Sequence, residues 1–484
     1  MAPIFPRIQA ATIDGRYHNI YHRQVELERL CKALTDNVNE IKQAISADYQ
    51  YSESEIAVEY HLTLSAVKQY YASLSPKKAH DEEYLVASGK DAANHRCPAG
   101  IVYIEPIQHT LFYSTIVPLS AALAAGNCVI VLLENNLRAV SSLLRRLLPA
   151  SLDADVLAIA SSPVKDSEIL SKALCVLQNG VRRAPSINEL SSTTKAPVVA
   201  VVDRTADVSL AAKELVAARF SFSGHSPYAP DVVLVNEFRK ADFLHAVVTE
   251  CARVGSSVEM NGSVKGKTTL SGRITEQVEL LKASDKGLRI VVQESKYAVV
   301  DISSRSAVLQ TPIEEAVLAI HSIRSLDDAI DLINSATEAP CLAAYHFCNH
   351  ATGKYLSQFV AAEATFINHI PRELLVGPPA PVGKPLDTSK RYPIELFTVP
   401  RPAFVKLSAQ AATLATALSS SNNTTAQGLL KEAASPLKEV KRNPGGGVGF
   451  FEQGFLINAG LILTSIVLIS VSGSFYLYRR SRPL

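Results

Sequence analysis

Apolar residues recur along this chain at two spacings. Leu27, Leu30, Leu34, Val38, Ile41 and Ile45 fall at three- and four-residue steps, the period of a helix with one buried face. A second helical stretch runs from about Glu55 to Ser73, with Pro76 as its stop. From Gly100 onward the pattern changes to short continuous apolar runs. GIVYIEPI (100–107), CVIVLL (128–133) and ALCVLQ (173–178) predict buried strands, with helices over 115–125 and 137–148 between them. Gly126 and Asn127 read as the stop of the first of these helices. A second set follows: VVAVVD (198–203), a helix over 207–219, DVVLVN (231–236), a helix over 238–253, then IVVQ (290–293) and AVVDI (298–302). Alternation of apolar strands with helices argues for parallel sheets covered on both faces, and so for an α/β protein of two lobes.

The pattern breaks near Ser408. Ala, Ser, Thr and Asn dominate as far as Thr425, and PGGGVG occupies 444–449. This predicts a flexible tether over 408–454 that can carry a transient helix and ends in a Gly-rich hinge. Beyond it, FLINAGLILTSIVLISVSGSFYLY (455–478) holds no charged residue and is followed by the basic tail RRSRPL (479–484). Twenty-four residues rise about 36 Å as a helix, enough for a hydrocarbon core of roughly 30 Å. Phe455 to Tyr478 therefore reads as a transmembrane anchor. The N-terminal residues show no basic segment followed by an apolar core, so the expected topology is tail-anchored, with the globular part in the cytosol. Basic residues flank the span on both sides, at Lys438, Lys441 and Arg442 and at Arg479, Arg480 and Arg482, which leaves the positive-inside count balanced.

Composition changes the picture little. The 484 residues are 47% hydrophobic and 19% charged, with a net charge of +2. That balance gives no electrostatic footprint for nucleic acid. Seven cysteines are scattered without a CxxC pair, which suits a reducing compartment and excludes a disulfide framework or a zinc site.

Four strings, in order, resemble the aldehyde dehydrogenase superfamily: PAGIVYI (98–104), TIVPLSAALAAGNCVIV (115–131), FSFSGHSPYAPDVVLV (220–235) and RSLDDAIDLIN (324–334). The resemblance covers about residues 20 to 407. With the hydrophobic C-terminal segment, it is nearest to the membrane-anchored fatty aldehyde dehydrogenases. It implies a Rossmann-type cofactor lobe over 1–197, with part of a bridging β-arm near 84–97. A catalytic lobe over 198–385 and the rest of a dimerising arm over 386–407 would follow.

The resemblance also implies chemistry: a cysteine thiolate attacks an aldehyde, an asparagine holds the oxyanion, hydride leaves to NAD(P)+, and a glutamate activates water. Residue by residue, this chain departs from it. In the string F-x-x-x-G-Q-x-C, Phe220 and Gly224 set the register and Pro227 stands at the thiol. Proline has neither a nucleophile nor a backbone N–H. Ser226 is adjacent, and Cys175 and Cys251 lie far outside the motif. The oxyanion asparagine position falls on His109 and the base glutamate on Ser191, with Glu189 two residues away. The cofactor positions fall on Leu132 in place of a ribose-binding lysine, on Gly180 in a phosphate turn followed by Arg182 and Arg183, and on Pro312 and Glu314 in place of a glutamate and a stacking phenylalanine.

The expectation is a tail-anchored pseudoenzyme without a cofactor. It would act as a scaffold, a regulator or an inactive subunit, as a homodimer or paired with an active relative. The alternative is a divergent NAD(P)-dependent enzyme that oxidises fatty aldehydes at the bilayer; a third reading is a binding protein that keeps the substrate funnel. The family analogy points to the endoplasmic reticulum, and the short basic tail also fits the mitochondrial outer membrane or the peroxisome.

Overall fold

The computed structural model describes residues 5–180, 188–193, 196–259, 267–310, 312–336, 339–419, 423–440 and 448–480. The first half holds strands β1 (Arg96–Pro98), β2 (Ile101–Glu105), β3 (Cys128–Leu132), β4 (Leu157–Ala160), β5 (Ala173–Leu177) and β6 (Glu189–Ser191). The second holds β7 (Val198–Val202), β8 (Val232–Asn236), β9 (Arg289–Gln293), β10 (Ala298–Ile302), β11 (Val317–Ile323), β12 (Ala343–Phe347), β13 (Thr365–Ile367) and β14 (Thr398–Pro400). They form a five-stranded sheet in the order β4-β3-β2-β5-β6 and a seven-stranded sheet in the order β13-β12-β7-β8-β11-β10-β9. The first sheet is wholly parallel; in the second only β9 runs antiparallel to its neighbour. β1 and β14 make a separate antiparallel ribbon, Arg96 facing Pro400 and Pro98 facing Thr398.

The central strands β2, β3, β5, β7, β8 and β12 are buried at every position, which is why they read as unbroken apolar runs rather than as alternation. Helix Leu111–Ala125 is buried along its whole length. It ends at Gly126, whose φ of 89° is left-handed. A Cβ there would lie 2.8 Å from the Tyr17 carbonyl oxygen, so only glycine fits. Asn127 then ties three pieces together. Its carbonyl accepts from the Gly100 amide at 2.8 Å, and its Nδ2 donates to the Ala122 and Phe397 carbonyls at 3.1 and 3.0 Å.

Several elements differ from the sequence expectation. The apolar periodicity from Leu27 to Ile45 belongs to two helices, Ile20–Asp36 and Val38–Asp48. The break is at Asn37, whose side chain donates to the Ala33 carbonyl. Pro76 does not end the helix before it; it opens the next one, Pro76–Glu83, at a position where a missing N–H costs nothing. The sequence expectation has no strand at short β4, β6 and β13, nor at the longer β11 and β12. Residues 407–484 form a unit of their own. The expected tether over 408–454 contains helices Ala409–Ser419 and Asn423–Ala433; residues 444–447 of its hinge lie outside the described residues. The expected anchor belongs to a longer helix, Phe450–Arg480. Within it, the 23 residues Glu452–Ser474 are long and apolar enough to cross a membrane, and none is covered by protein.

One buried carboxyl links helices. Glu59, on helix Glu53–Ser73, is fully buried against the start of helix Leu111–Ala125. Its Oε1 accepts from the Tyr113 amide at 3.3 Å, while Oε2 has no hydrogen-bond partner. Burial raises its pKa from 4.5 to about 8, against the opposing pull of the Tyr113 and Phe112 amides. Between those values the folded chain holds a proton that the unfolded chain has lost. Stability is therefore complete below about pH 4.5 and falls as pH rises toward 8, by up to roughly 4–5 kcal/mol. Glu59→Gln is expected to flatten this slope and to melt higher than the parent at pH 8.5. Thermal denaturation across pH checks it; a variant no more stable than the parent at pH 8.5 rules the account out.

Candidate active site

Three sequence-distant positions carry the expected chemistry. His109 lies in the loop between β2 and helix Leu111–Ala125, Ser191 ends β6, and Pro227 lies between helix Val208–Phe220 and β8. The fold brings all three regions onto one stretch, Leu375–Val382. His109 Nε2 donates to the Leu375 carbonyl at 2.9 Å, and the Gly377 amide donates to Thr110 Oγ1 at 2.8 Å. Ser192 Oγ donates to the Pro379 carbonyl at 2.7 Å, and the Val382 amide donates to the Ser191 carbonyl at 2.8 Å. Beside Pro227, the Tyr228 hydroxyl accepts from the Ala380 amide at 3.1 Å. Arg391 holds the stretch from the other side. Its guanidinium sits 5.2 Å from the Tyr228 ring centre and donates to the carbonyls of Pro378, Val376 and Glu373.

The turn that leads to Pro227 is unusual. Phe222, Ser223 and Gly224 have φ of 51°, 57° and 77°, two of them non-glycine residues in a region L-residues avoid. Gly224 is forced by contact: a Cβ would stand 2.5 Å from the Ala316 amide nitrogen and the Glu315 carbonyl carbon. The Phe222 amide donates to Glu55 Oε1 at 2.6 Å. Glu55 also closes a capping box with Ser52 at the start of helix Glu53–Ser73. The Phe222 ring meets Tyr51 and His109 edge-on, at 5.1 and 6.0 Å, and Tyr51 stacks on Tyr49 at 4.8 Å. An aromatic cluster thus fills the space beside the turn.

His109 is built into that cluster. With Nε2 donating to Leu375, Nδ1 is left to accept from the Tyr51 hydroxyl at 3.5 Å. Burial pushes its pKa down to about 4, so the imidazole is neutral at pH 7 and its one N–H is taken. Ser226 is buried, and its hydroxyl oxygen accepts from the Tyr228 amide at 3.3 Å. Cys251 lies buried on helix Lys240–Glu259, where burial pushes its thiol up to about 12; Cys175 is buried within β5. A thiol with so high a pKa supplies almost no thiolate at neutral pH.

The cofactor positions fall in two places. At the carboxyl ends of β2, β3 and β5 lies a cavity of about 340 Å³ lined by Pro106, Ile107, Gln108, Leu111, Leu132, Leu133, Glu134, Asn136, Ser141 and Asn179. Leu132 forms part of its wall, and Glu134 is the one charged residue among the described lining residues. Gly180 follows Asn179 with φ 75°; Arg182, Arg183 and Lys195 lie outside the described residues. No described lining residue is a cation that complements a diphosphate. Pro312 and Glu314 are exposed. Their backbone is gripped by Gln277, which donates to the Pro312 carbonyl at 3.1 Å and accepts from the Glu314 amide at 3.2 Å. Beneath them the buried Arg219 donates to the Ile313 and Glu315 carbonyls.

Sequence reasoning missed Glu55, Tyr51 and the Leu375–Val382 stretch. Only Glu55 left a local signal, the S-x-x-E spacing from Ser52. Glu55→Ala is expected to cost about 2–3 kcal/mol, since it strips both the cap and the charge-assisted bond to Phe222. Ser52→Ala should cost about 1 kcal/mol, the cap alone. Equal losses in chemical denaturation would show that the Phe222 contact contributes nothing.

No family model matches the chain, but individual proteins do. It is 23% identical over 372 residues to a dog protein described as aldehyde dehydrogenase, dimeric NADP-preferring, covering 72% of this chain and 80% of that one. It is 24% identical over 364 residues to mouse aldehyde dehydrogenase family 3 member A2, covering 70% and 74%. Among solved structures, a substrate-bound state of Staphylococcus aureus AldH superposes with a TM-score of 0.67 at 19% identity, covering 90% of this chain and all of that one.

Proposed function

We propose that this chain, which has the aldehyde dehydrogenase fold and is a sequence relative of that superfamily, is a membrane-held pseudoenzyme. It binds no NAD(P), and serves as a scaffold, a regulator or an inactive subunit. The observation that carries this reading is the site itself. In the register that the resemblance sets, Pro227 falls at the nucleophile position; its turn is tied to Glu55, and His109 is neutral with both ring nitrogens engaged. Oxidation of an aldehyde through a thiohemiacetal needs a sulfur to attack, a free donor for the oxyanion and a base for water. Proline supplies no attacking atom, His109 has no spare donor, and the Ser191 side chain is no carboxylate base.

In this reading helix Phe450–Arg480 is the anchor, and the globular part lies in the cytosol at the endoplasmic reticulum. The ribbon of β1 and β14 offers the surface for pairing with a second copy or with an active relative; both its strands keep an open edge, which another strand can join.

Full-length protein in detergent, given NAD+ or NADP+ and a long-chain aldehyde, is expected to form no reduced cofactor above the buffer rate. Pro227→Cys alone is expected to restore none, because residues that act as a unit are not rescued singly. Reduced-cofactor formation by the unaltered chain would replace this reading with that of a divergent fatty aldehyde dehydrogenase. Removal of residues 450–484 is expected to release the protein from sedimenting membranes; retention would place the anchor elsewhere.

A further inference from the structure

A patch of apolar and basic side chains lies open on the globular unit just before the chain leaves it. Two segments build it: residues 401–406, which follow β14, and residues 84–91, which follow helix Pro76–Glu83. The backbone holds them together. Ala92 and Ala403 donate their amides to each other's carbonyls at 2.8 and 3.2 Å. The Asp91 carboxylate accepts from the Val405 and Lys406 amides at 2.7 and 2.9 Å. The turn at 84–90 closes through the Lys90 amide, which donates to the Leu85 carbonyl at 2.9 Å.

Phe404 is 69% exposed and Tyr84 53%, and Val86 and Val405 on the same two segments are exposed as well. Apolar groups gathered in the open mark an interaction surface. Lys90, Arg96, Arg401 and Lys406 stand among them, all exposed. Asp91 is the one carboxylate in 84–98 and 398–406, and two amides already hold it. Among the described residues Lys90, Arg401 and Lys406 form no salt bridge. The adjoining helix Pro76–Glu83 carries Asp81, Glu82 and Glu83 but also Lys77 and Lys78, with Lys78 3.8 Å from Glu82.

We infer that this patch docks the globular unit on an anionic bilayer surface, with Phe404 and Tyr84 entering the headgroup layer and Lys90, Arg401 and Lys406 meeting the lipid anions. Aromatic rings settle at that depth, and basic groups beside a membrane are drawn to its negative surface. Two observations choose a bilayer over a second copy of the chain. A two-fold contact would lay the patch on itself, and its unpaired cations would repel. The globular unit also ends at Lys406, so the patch adjoins the segment that leads to helix Phe450–Arg480. A tether of this kind keeps the patch at high effective concentration beside the membrane, so a weak affinity suffices.

This inference rests on the anchor reading and is independent of Pro227. The chain holds no tryptophan, so Phe404→Trp in the full-length protein gives a single reporter in the patch. Reconstituted into phosphatidylcholine vesicles containing phosphatidylserine, its emission is expected to shift to the blue and to be quenched by brominated acyl chains. In phosphatidylcholine alone, or at high salt, both effects should fade. Adding Lys90→Gln, Arg401→Gln and Lys406→Gln, all at exposed positions, is expected to weaken docking roughly a hundredfold, read as loss of the shift. Phe238→Trp, at a position 78% exposed elsewhere on the unit, should stay red and unquenched in every vesicle. An unshifted Phe404→Trp in phosphatidylserine vesicles that carry the protein on flotation overturns the docking inference alone. So does an equal shift at Phe238→Trp, or a shift indifferent to the three charges. A blue shift that grows with protein density in phosphatidylcholine alone would replace the bilayer with a second copy. Protein that fails to float with the vesicles would remove the anchor reading and this inference with it.

Discussion

A buried stretch of chain outside helix and strand must find a partner for its carbonyls and amides, because water is not there to serve them. Leu375–Val382 is such a stretch, and its needs order this structure. Its hydrogen bonds come from His109, Thr110, Ser191, Ser192, Tyr228 and Arg391, residues drawn from both sheets' surroundings. It therefore joins the five-stranded and seven-stranded sheets through their loops. The close approach at Gly377 belongs to the same constraint: its φ is 86°, and a Cβ would fall 2.4 Å from the Tyr113 ring. His109, Thr110, Ser192, Tyr228 and Arg391 serve this backbone through their side chains, and Ser191 through its main-chain carbonyl. A side chain committed in this way cannot also meet a reacting atom without leaving the backbone unsatisfied.

The strings that carry the resemblance are explained by the same logic. In AGN, Gly126 is needed where the Tyr17 carbonyl presses on a left-handed helix end, and Asn127 binds the amide of Gly100 and two carbonyls. In FSFSG, Gly224 is needed where Glu315 and Ala316 pass against it. Each of these residues has a structural reason that does not involve substrate. Pro227, Ser191 and Leu132 stand where the resemblance leads one to expect residues with a chemical role. Folding constrains the first group whatever the protein does.

What the sequence made legible follows from how local each determinant is. Strands buried on both faces, such as Cys128–Leu132 and Val198–Val202, announce themselves as apolar runs, and the capping box Ser52–Glu55 has a fixed spacing. The break at Asn37 does not. Its side chain competes for the Ala33 carbonyl, while the apolar period passes through undisturbed, so one helix and two helices read alike. Short β4 and β6 lacked the length to stand out, and they exist because neighbouring strands offer them an edge. Within the site, the identity of the residues at Pro227, His109 and Ser191 was readable, but their partners were not. Glu55 lies 167 positions from Phe222 and Leu375 lies 266 from His109, and no sequence period reports a contact of that kind.

Two buried ionisable groups carry the largest consequences of this packing. Glu59 is pushed up to about 8 and His109 down to about 4, both by removal from water. Shifts of this size are often taken as marks of catalysis. A catalytic shift, however, pairs desolvation with a place for the proton to go: a cavity, a substrate atom or a second titrating group. The Nε2 proton of His109 is held by the Leu375 carbonyl and its Nδ1 faces the Tyr51 hydroxyl, while Glu59 Oε1 faces a helix amide. Each is neutral at pH 7 because burial makes the charge costly; both ring nitrogens of His109 and Oε1 of Glu59 are bonded within the fold, and Oε2 of Glu59 is not. The same displacement of pKa that prepares an acid or base in an active site can thus arise from packing alone.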